Sequence, residues 1–300
     1  MIKIITDSVA SIPQDMLEGT DIEVITLYVN REGTEYADAT MDLDAFYAGI
    51  YDMVDNIPTS SQPSQLTFEE CFERAAKQGD KVVGIFISTG LSGCYEGALR
   101  AARAVKTRNL DFEYAMIDSQ SCGFDEAWAV FDGAEAVKAD KTFNECVQSV
   151  LTGMASSRFI FTPESLTFLQ KGGRIGNVAA LVGNLIKLSP VLTVIDGKPE
   201  TYAKVRTRKK ALDKMMQAFK DDVEKYGLKN VVVHYIGDKS PAVEWAKNVV
   251  EPYVGRAVRV LPVSPVIGLH VGPAVGIAYE CKQVIENKIT GSLQSFVCTQ

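Results

Sequence analysis

The sequence predicts an α/β fold in two domains: an N-terminal one with a mostly parallel sheet covered by helices on both faces, and a C-terminal one of mixed α/β type. Three observations carry that expectation. In the first half, continuous apolar runs such as VVGIFIS alternate with amphipathic helical stretches, the pattern of βαβ units whose strands are buried on both faces. In the second half the texture changes, and PVLTVIDGKPETYAKVRT reads as an antiparallel hairpin turning at Asp196 and Gly197. The length, 300 residues, suits two domains.

Taken in order, 2–6 is a short apolar strand, and Ser11-Ile12-Pro13 resembles a helix cap with proline in the first turn. The segment 22–29 reads as a second strand. Residues 43–54 have helical spacing, with Leu43, Phe46, Tyr47 and Ile50 on one face. PTSSQPS (58–64) has four hydroxyls in seven residues, fenced by Pro58 and Pro63, and reads as a loop. Thr67 and Glu70 then form a capping-box pattern opening a helix that stops near Gly79. VVGIFIS is a buried strand, CYEGALRAARAV a helix and FEYAMIDS a strand, followed by helices over about 125–138 and 143–155.

The boundary falls near Ser156, giving units 1–155 and 156–300. Beyond it, RFIFT leads through Pro163 into the helix ESLTFLQK, stopped by Gly172-Gly173. After the hairpin an amphipathic helix runs over about 209–226. NVVVHYIG is a strand, SPAVEWAKNVVEPY a capped helix and RAVRVLPVS a strand. VIGLHVGPAVGIAY is glycine-rich with a strand at its end.

Composition narrows the function. Hydrophobic residues make up 46% and charged residues 23%, ordinary for a globular chain with a sizeable core. A net charge of −7 argues against a protein built to coat nucleic acid or an anionic membrane. No apolar run reaches membrane-spanning length, so no stable membrane insertion is expected. The start, MIKIITDS, is strand-like and shows no apolar run with a cleavage site, so a cytoplasmic protein is expected. Six scattered cysteines show no zinc spacing, and with His234 and His270 the only histidines, neither metal nor cofactor is expected.

The carboxyl ends of strands in such a sheet share one rim, where ligands sit. ITDS, FISTGLSG and MIDSQS fall there. In STGLSGCYEGA (88–98), Ser92 and Gly93 lie at a turn before a helix, where unpaired amides favour an anion. Simple helix capping by Ser92 is an equal reading, and the second hydroxyl loop, PTSSQPS, tips the balance toward a carboxylate or phosphate site. In LQKGGRIG (169–176) a Gly-Gly helix stop explains the glycines, and neither GxGxxG nor a Walker A pattern is present. Arg174 is free to cap a carbonyl, pair with an acid or face a ligand anion. His270, between glycines in GLHVGPAVG, is either structural or a ligand contact; His234, on an apolar strand, reads as structural. KVRTRKK (204–210) is most simply a solvated strand end. The nucleophile-elbow pattern GxSxG is missing; a Ser92–His270 pair stays open, with no obvious orienting acid in the sequence.

Together, TDS (6–8), PTSSQPS, LSGCYEGA (91–98), IDSQS (117–121), LTFLQKGGRIG (166–176), IDGK with KVRT (195–207) and GLHVGPAVGI (268–277) resemble the DegV family of bacterial fatty-acid-binding proteins. The ordered set spans residues 2 to about 285. The resemblance implies a two-domain α/β carrier that holds one long-chain fatty acid near the domain junction and is not itself an enzyme. By the same resemblance the carboxylate is held by Ser60, Ser92 with Gly93, Arg174 and His270. Ser60 stands where threonine is more usual, Cys94 where threonine is common, and Val271 and Ala274 depart from a His-Thr-Gly-Pro-Gly pattern. In some Gram-positive relatives a partner fatty acid kinase phosphorylates the bound acid; the resemblance extends that role to this chain, with the basic segment 206–210 as candidate docking patch. The alternative from another class is an enzyme, a serine esterase or a phosphotransferase acting on a small hydroxylated substrate.

Overall fold

A computed structural model describes residues 1–181 and 188–300. In chain order its strands are β1 (Ile2–Asp7), β2 (Ile22–Ile25), β3 (Tyr28–Arg31), β4 (Thr34–Ala37), β5 (Thr59–Ser61), β6 (Lys81–Phe86), β7 (Tyr114–Asp118), β8 (Ser157–Pro163), β9 (Ser189–Ile195), β10 (Lys198–Val205), β11 (Leu228–Ile236), β12 (Arg259–Pro262), β13 (Ala274–Cys281) and β14 (Val297–Thr299). The first sheet has the order β14-β7-β6-β1-β2, and its four N-terminal strands are parallel. The second has the order β10-β9-β8-β13-β11-β12 and is antiparallel except for β11 with β12. The two-domain mixed α/β architecture is therefore present.

Strand alternation divides the first sheet's side chains between two helical layers. Ile5, Val82 and Phe86 join the core with the helices Gln65–Lys77 and Cys94–Arg108. Ile4, Val83 and Ile85 pack instead with Val130, Val147 and Val150 from the helices Phe124–Lys138 and Phe143–Ser156. In the second sheet, Val231, Val233 and Tyr235 lie under the helix Arg208–Tyr226. The alternate residues Val232 and Ile236, with Phe159 and Phe161 of β8, join the core of the first domain. The domains thus share an apolar seam.

Several expectations need correction. PTSSQPS is not all loop: Thr59–Ser61 forms β5, pairing with β3 through Val29 opposite Ser60. A strand at the edge of a small sheet needs no apolar side chains, and here Asn30 Nδ2 donates to Ser61 Oγ at 3.2 Å. Segment 22–29 is two strands; β2 stays with β1 while β3 leaves for the small sheet β4-β3-β5. The helix after PTSSQPS is capped by Ser64, whose Oγ accepts from Thr67 N at 3.0 Å, and not by Thr67. The segment 43–54 is helical only over Leu43–Ala48 before tightening into a 3-10 turn at Ile50–Val54. The hairpin turn is as expected, with Asp196 and Gly197 both in the left-handed region (φ 47 and 75).

The chain end also departs from the expected unit 156–300, since β14 pairs with β7 in the first sheet. The returning segment is pinned by Lys288, which is buried and donates to Asp125 Oδ1 (2.6 Å), Met154 O (2.6 Å) and Ser157 Oγ (3.2 Å). Breaking one partner of a buried pair strands the other charge, so Lys288→Met should cost about 3–5 kcal/mol. Urea unfolding should show that loss, with partial recovery in Lys288→Met/Asp125→Asn. A loss below about 1 kcal/mol would mean that other contacts hold the returning segment.

Candidate functional site

The ends of β1, β6 and β7 form one rim because those strands are parallel neighbours. Two carboxylates on this rim grip the loop that follows β6. Asp7 accepts from Val9 N and Ile87 N, both at 2.9 Å, and Asp118 accepts from Thr89 Oγ1 at 2.7 Å. Burial pushes the Asp7 carboxyl up to about 7 against those two amide bonds, so proton affinity is part of the cost of this bracing.

The braced loop delivers Ser92 and Gly93 to the start of the helix Cys94–Arg108. Gly93, not Ser92, occupies the N-cap, and it has no side chain to cap with. Ser92 Oγ accepts from Cys94 N at 3.2 Å, so the hydroxyl keeps its proton to donate elsewhere. Gly93 N–H has no hydrogen bond among the described residues. An anion facing this turn would meet an unpaired donor at the positive end of a helix.

Facing the rim is the helix Pro265–Val271, whose last turn carries His270. Asp38 holds the start of this helix, accepting from Ser264 Oγ and Val266 N at 3.0 Å each. Tyr47 OH donates to Val263 O at 2.7 Å. His270 Nε2 lies 3.0 Å from Ser60 Oγ, and His270 Nδ1 has no partner among the described residues. Burial pushes the imidazole down to about 4, helped by the positive charge of Arg174. At neutral pH it is uncharged.

Arg174 follows the short helix Thr167–Lys171 and caps carbonyls: its Nε donates to Leu91 O (3.2 Å) and its Nη1 to Gly172 O (2.7 Å). Its hydrogen bonds thus satisfy geometry and leave its charge uncancelled. Gly172 explains itself here, because a Cβ at that position would sit 2.5 Å from His270 Nδ1. Contacts therefore run continuously from Ser60 through His270, Gly172, Arg174 and Leu91 to the Ser92–Gly93 turn. Gln62 closes the collar, its Oε1 lying 2.9 Å from where a Gly93 Cβ would be.

The collar borders a cavity of about 380 Å³ that all five expected residues line: Ser60, Ser92, Gly93, Arg174 and His270. Its other walls are largely apolar, with Ile87, Phe159, Phe161, Val194, Val266 and Ile267 among them. The size and the few convergent polar groups are those of a small-molecule pocket. His270 is paired with Ser60 and not with Ser92. The segment 206–210 lies outside the cavity wall, and His234 is buried on β11 with its Nδ1 on Leu261 O at 3.0 Å. The sequence reading missed Gln62, although it stands within the hydroxyl stretch, and Phe159 and Phe161, whose alternation in RFIFT marks one sheet face without saying what it faces.

Comparison with known proteins identifies the family. The family model described as "Uncharacterised protein, DegV family" matches residues 1–282. The chain belongs to the DegV family. A DegV domain-containing protein of Clostridium perfringens is 38% identical over 279 residues, covering 93% of this chain and 98% of that one. A solved DegV family protein from Thermus thermophilus, described by its fatty acid binding, superposes with a TM-score of 0.81 at 27% identity, covering 93% of this chain and 99% of that one. A stearic acid-binding protein from Eubacterium ventriosum gives a TM-score of 0.83 at 28% identity, covering 94% and 99%. The DegV fold thus extends over nearly the whole chain.

The tight seat of His270 on Gly172 generates a test. Gly172→Ala should push the imidazole off Ser60 and into water, raising its pKa from about 4 toward the ordinary 6.5. A two-histidine NMR titration reads this directly. Gly173→Ala, at a left-handed position (φ 70) with open space around it, should cost about 1 kcal/mol of stability yet leave the His270 titration unmoved. Equal titrations in both variants would dissociate Gly172 from the histidine.

Proposed function

We propose that this chain binds one long-chain fatty acid, carboxylate at the collar and tail along the apolar walls, and acts as a carrier rather than a catalyst. The observation that carries this reading is a cavity lined from both domains whose polar residues touch one another and whose remaining wall is mostly apolar. The solved relatives described as binding fatty acid or stearic acid support the ligand class.

The collar suits a carboxylate in an apolar site, which is costly to bury bare. With His270 as the Nε2–H tautomer, the imidazole donates to Ser60 Oγ and frees the Ser60 hydroxyl to donate to one carboxylate oxygen. The Ser92 hydroxyl and Gly93 N–H serve the other, and Arg174 supplies nearby positive charge without a direct buried ion pair. At ~0.8 kcal/mol per buried methylene, a long acyl chain contributes roughly 10 kcal/mol before ordering costs. The tail thus supplies affinity and the head group supplies orientation. No cofactor or metal ion is needed.

An esterase reading fits less well. The Ser60–His270 contact has the distance of a nucleophile–base pair, yet no acid orients the imidazole and the neighbouring Arg174 lowers its basicity. A fluorophosphonate probe should leave both Ser60 and Ser92 unlabelled. The proposal extends to a partner fatty acid kinase that phosphorylates the presented carboxylate, docking at the exposed basic segment 206–210; acyl phosphate should form only with that partner and ATP together. The cytoplasm is the proposed location. Among the described residues, no helix is long and apolar enough to cross a membrane. A domain division near residue 155, where the chain passes from the helix Phe143–Ser156 to β8, belongs to the same proposal.

Native mass spectrometry of the freshly purified protein should show one added mass matching a fatty acid, released on denaturation. Ser60→Ala/Ser92→Ala should weaken binding about ten- to hundredfold, from two lost charge-assisted donors. Unchanged affinity would move the carboxylate elsewhere; a protein that neither carries nor takes up any fatty acid would end the reading.

A further inference from the structure

A second, smaller void of about 10 Å³ lies behind the first cavity and shares four wall residues with it: Phe159, Phe161, Ile267 and Val271. Gly276 of β13 lines this void. In the cross-strand row β11-β13-β8, His234 is opposite Gly276 and Gly276 is opposite Phe161, so the three residues share one sheet face. The middle residue has no side chain of its own, and the Phe159 ring leans over it. A Cβ at Gly276 would come within 2.8 Å of the Phe159 ring and 3.2 Å of Phe161 Cβ.

One residue of this wall, His234, carries an unsatisfied polar atom. His234 is 1% exposed, and its Nδ1 lies 3.0 Å from Leu261 O, which can only accept. Nδ1 therefore holds the proton, and Nε2 is a bare lone pair with no partner among the described residues. Burial holds the ring's pKa down at about 4, so it stays neutral. The rings of Phe124 and Phe159 stand 5.4 and 5.7 Å away and offer no donor to it. A void of this size is at the threshold for one water, which would need two to four polar partners to stay. A buried acceptor left unpaired is a standing cost. A ligand bearing a hydroxyl would relieve it.

We propose that the acyl tunnel continues past the Phe159–Phe161 pair into this void, and that His234 Nε2 selects chains carrying a hydroxyl group at that depth. The two rings are stacked 5.0 Å apart on the same face of β8 and line both spaces, so the route from one to the other runs past them. Val271 and Ala274, the two positions where this chain departs from the His-Thr-Gly-Pro-Gly pattern, both line the void. The inference rests on the fatty-acid reading of the first cavity and assigns the substrate class within it.

The test is a competition titration of stearic acid against a set of its monohydroxylated positional isomers, from mid-chain to the terminal carbon. At least one isomer should bind about tenfold tighter than stearic acid, the gain of one hydrogen bond to an otherwise bare buried acceptor. His234→Phe should erase that preference while still binding stearic acid. In the wild type, which needs no variant to fold, the His234 Nε2 nitrogen resonance should move with the preferred isomer and stay fixed with stearic acid. The proposal is overturned if every isomer binds more weakly than stearic acid, if the preference survives His234→Phe, or if the resonance ignores a tightly bound isomer. If stearic acid and all its isomers fail to bind, the fatty-acid reading itself falls and this inference with it.

Discussion

The helix Phe124–Lys138 packs on both large sheets at once, against β1 and β6 on one side and β8 and β13 on the other. That double burial dictates its sequence. From Phe124 to Val130 every residue is buried, including Asp125 and Glu126 in the first turn. Neither acid can reach water, so each must be answered from inside. Asp125 is met by Lys288 and by Ser121 Oγ at 2.5 Å, while Glu126 accepts from Thr6 Oγ1 and Ser119 Oγ and is pushed well above the usual carboxylate range by burial. The same helix therefore glues the domains by apolar contact and fixes their register through polar groups that only one arrangement satisfies.

The candidate site inherits its precision from that seam. None of its residues sits on a long element: Ser60 is on the three-residue strand β5, His270 on the seven-residue helix Pro265–Val271, and Ser92, Gly93 and Arg174 are in turns. Arg174 reaches across to Leu91 O, and Asp38 holds the helix that ends in His270. Ser88 Oγ donates to Gly197 O at 3.0 Å, docking the β9–β10 hairpin on the same rim. Donors aimed at an anion gain most when their own positions cost nothing to organise at binding. A collar assembled from four chain segments is rigid only because the domains cannot slide.

How far the sequence shows this depends on the range of the interaction. The parallel sheet and its helices were legible because buried strands and amphipathic helices repeat at periods of two and 3.6, a signal confined to one segment. The hydroxyls of Ser60 and Ser92 stood out because apolar packing cannot explain them. What stayed hidden is long-range pairing. Nothing in Thr59-Ser60-Ser61 announces β3 as a partner, nothing in Val297-Cys298-Thr299 announces β7, and Lys288 looks like any loop lysine until Asp125 lies beside it. Arg174 left three readings open, and geometry chose carbonyl capping while its charge still faces the cavity.

The head group also bounds what the site can discriminate. Every straight-chain fatty acid presents the same carboxylate, so under the proposed reading the collar would bind all of them alike and selection would fall to the tail. There, one methylene more or less changes affinity by about 0.8 kcal/mol, a few-fold at most. A site that reads only length in an apolar tube is a weak sieve, as small apolar pockets generally are. Stronger discrimination requires a polar atom buried where only the right chain can satisfy it, since a mismatched chain leaves that atom unpaired. In this fold such an atom, His234 Nε2, sits on β11 in a residue that lines the smaller void beside Gly276.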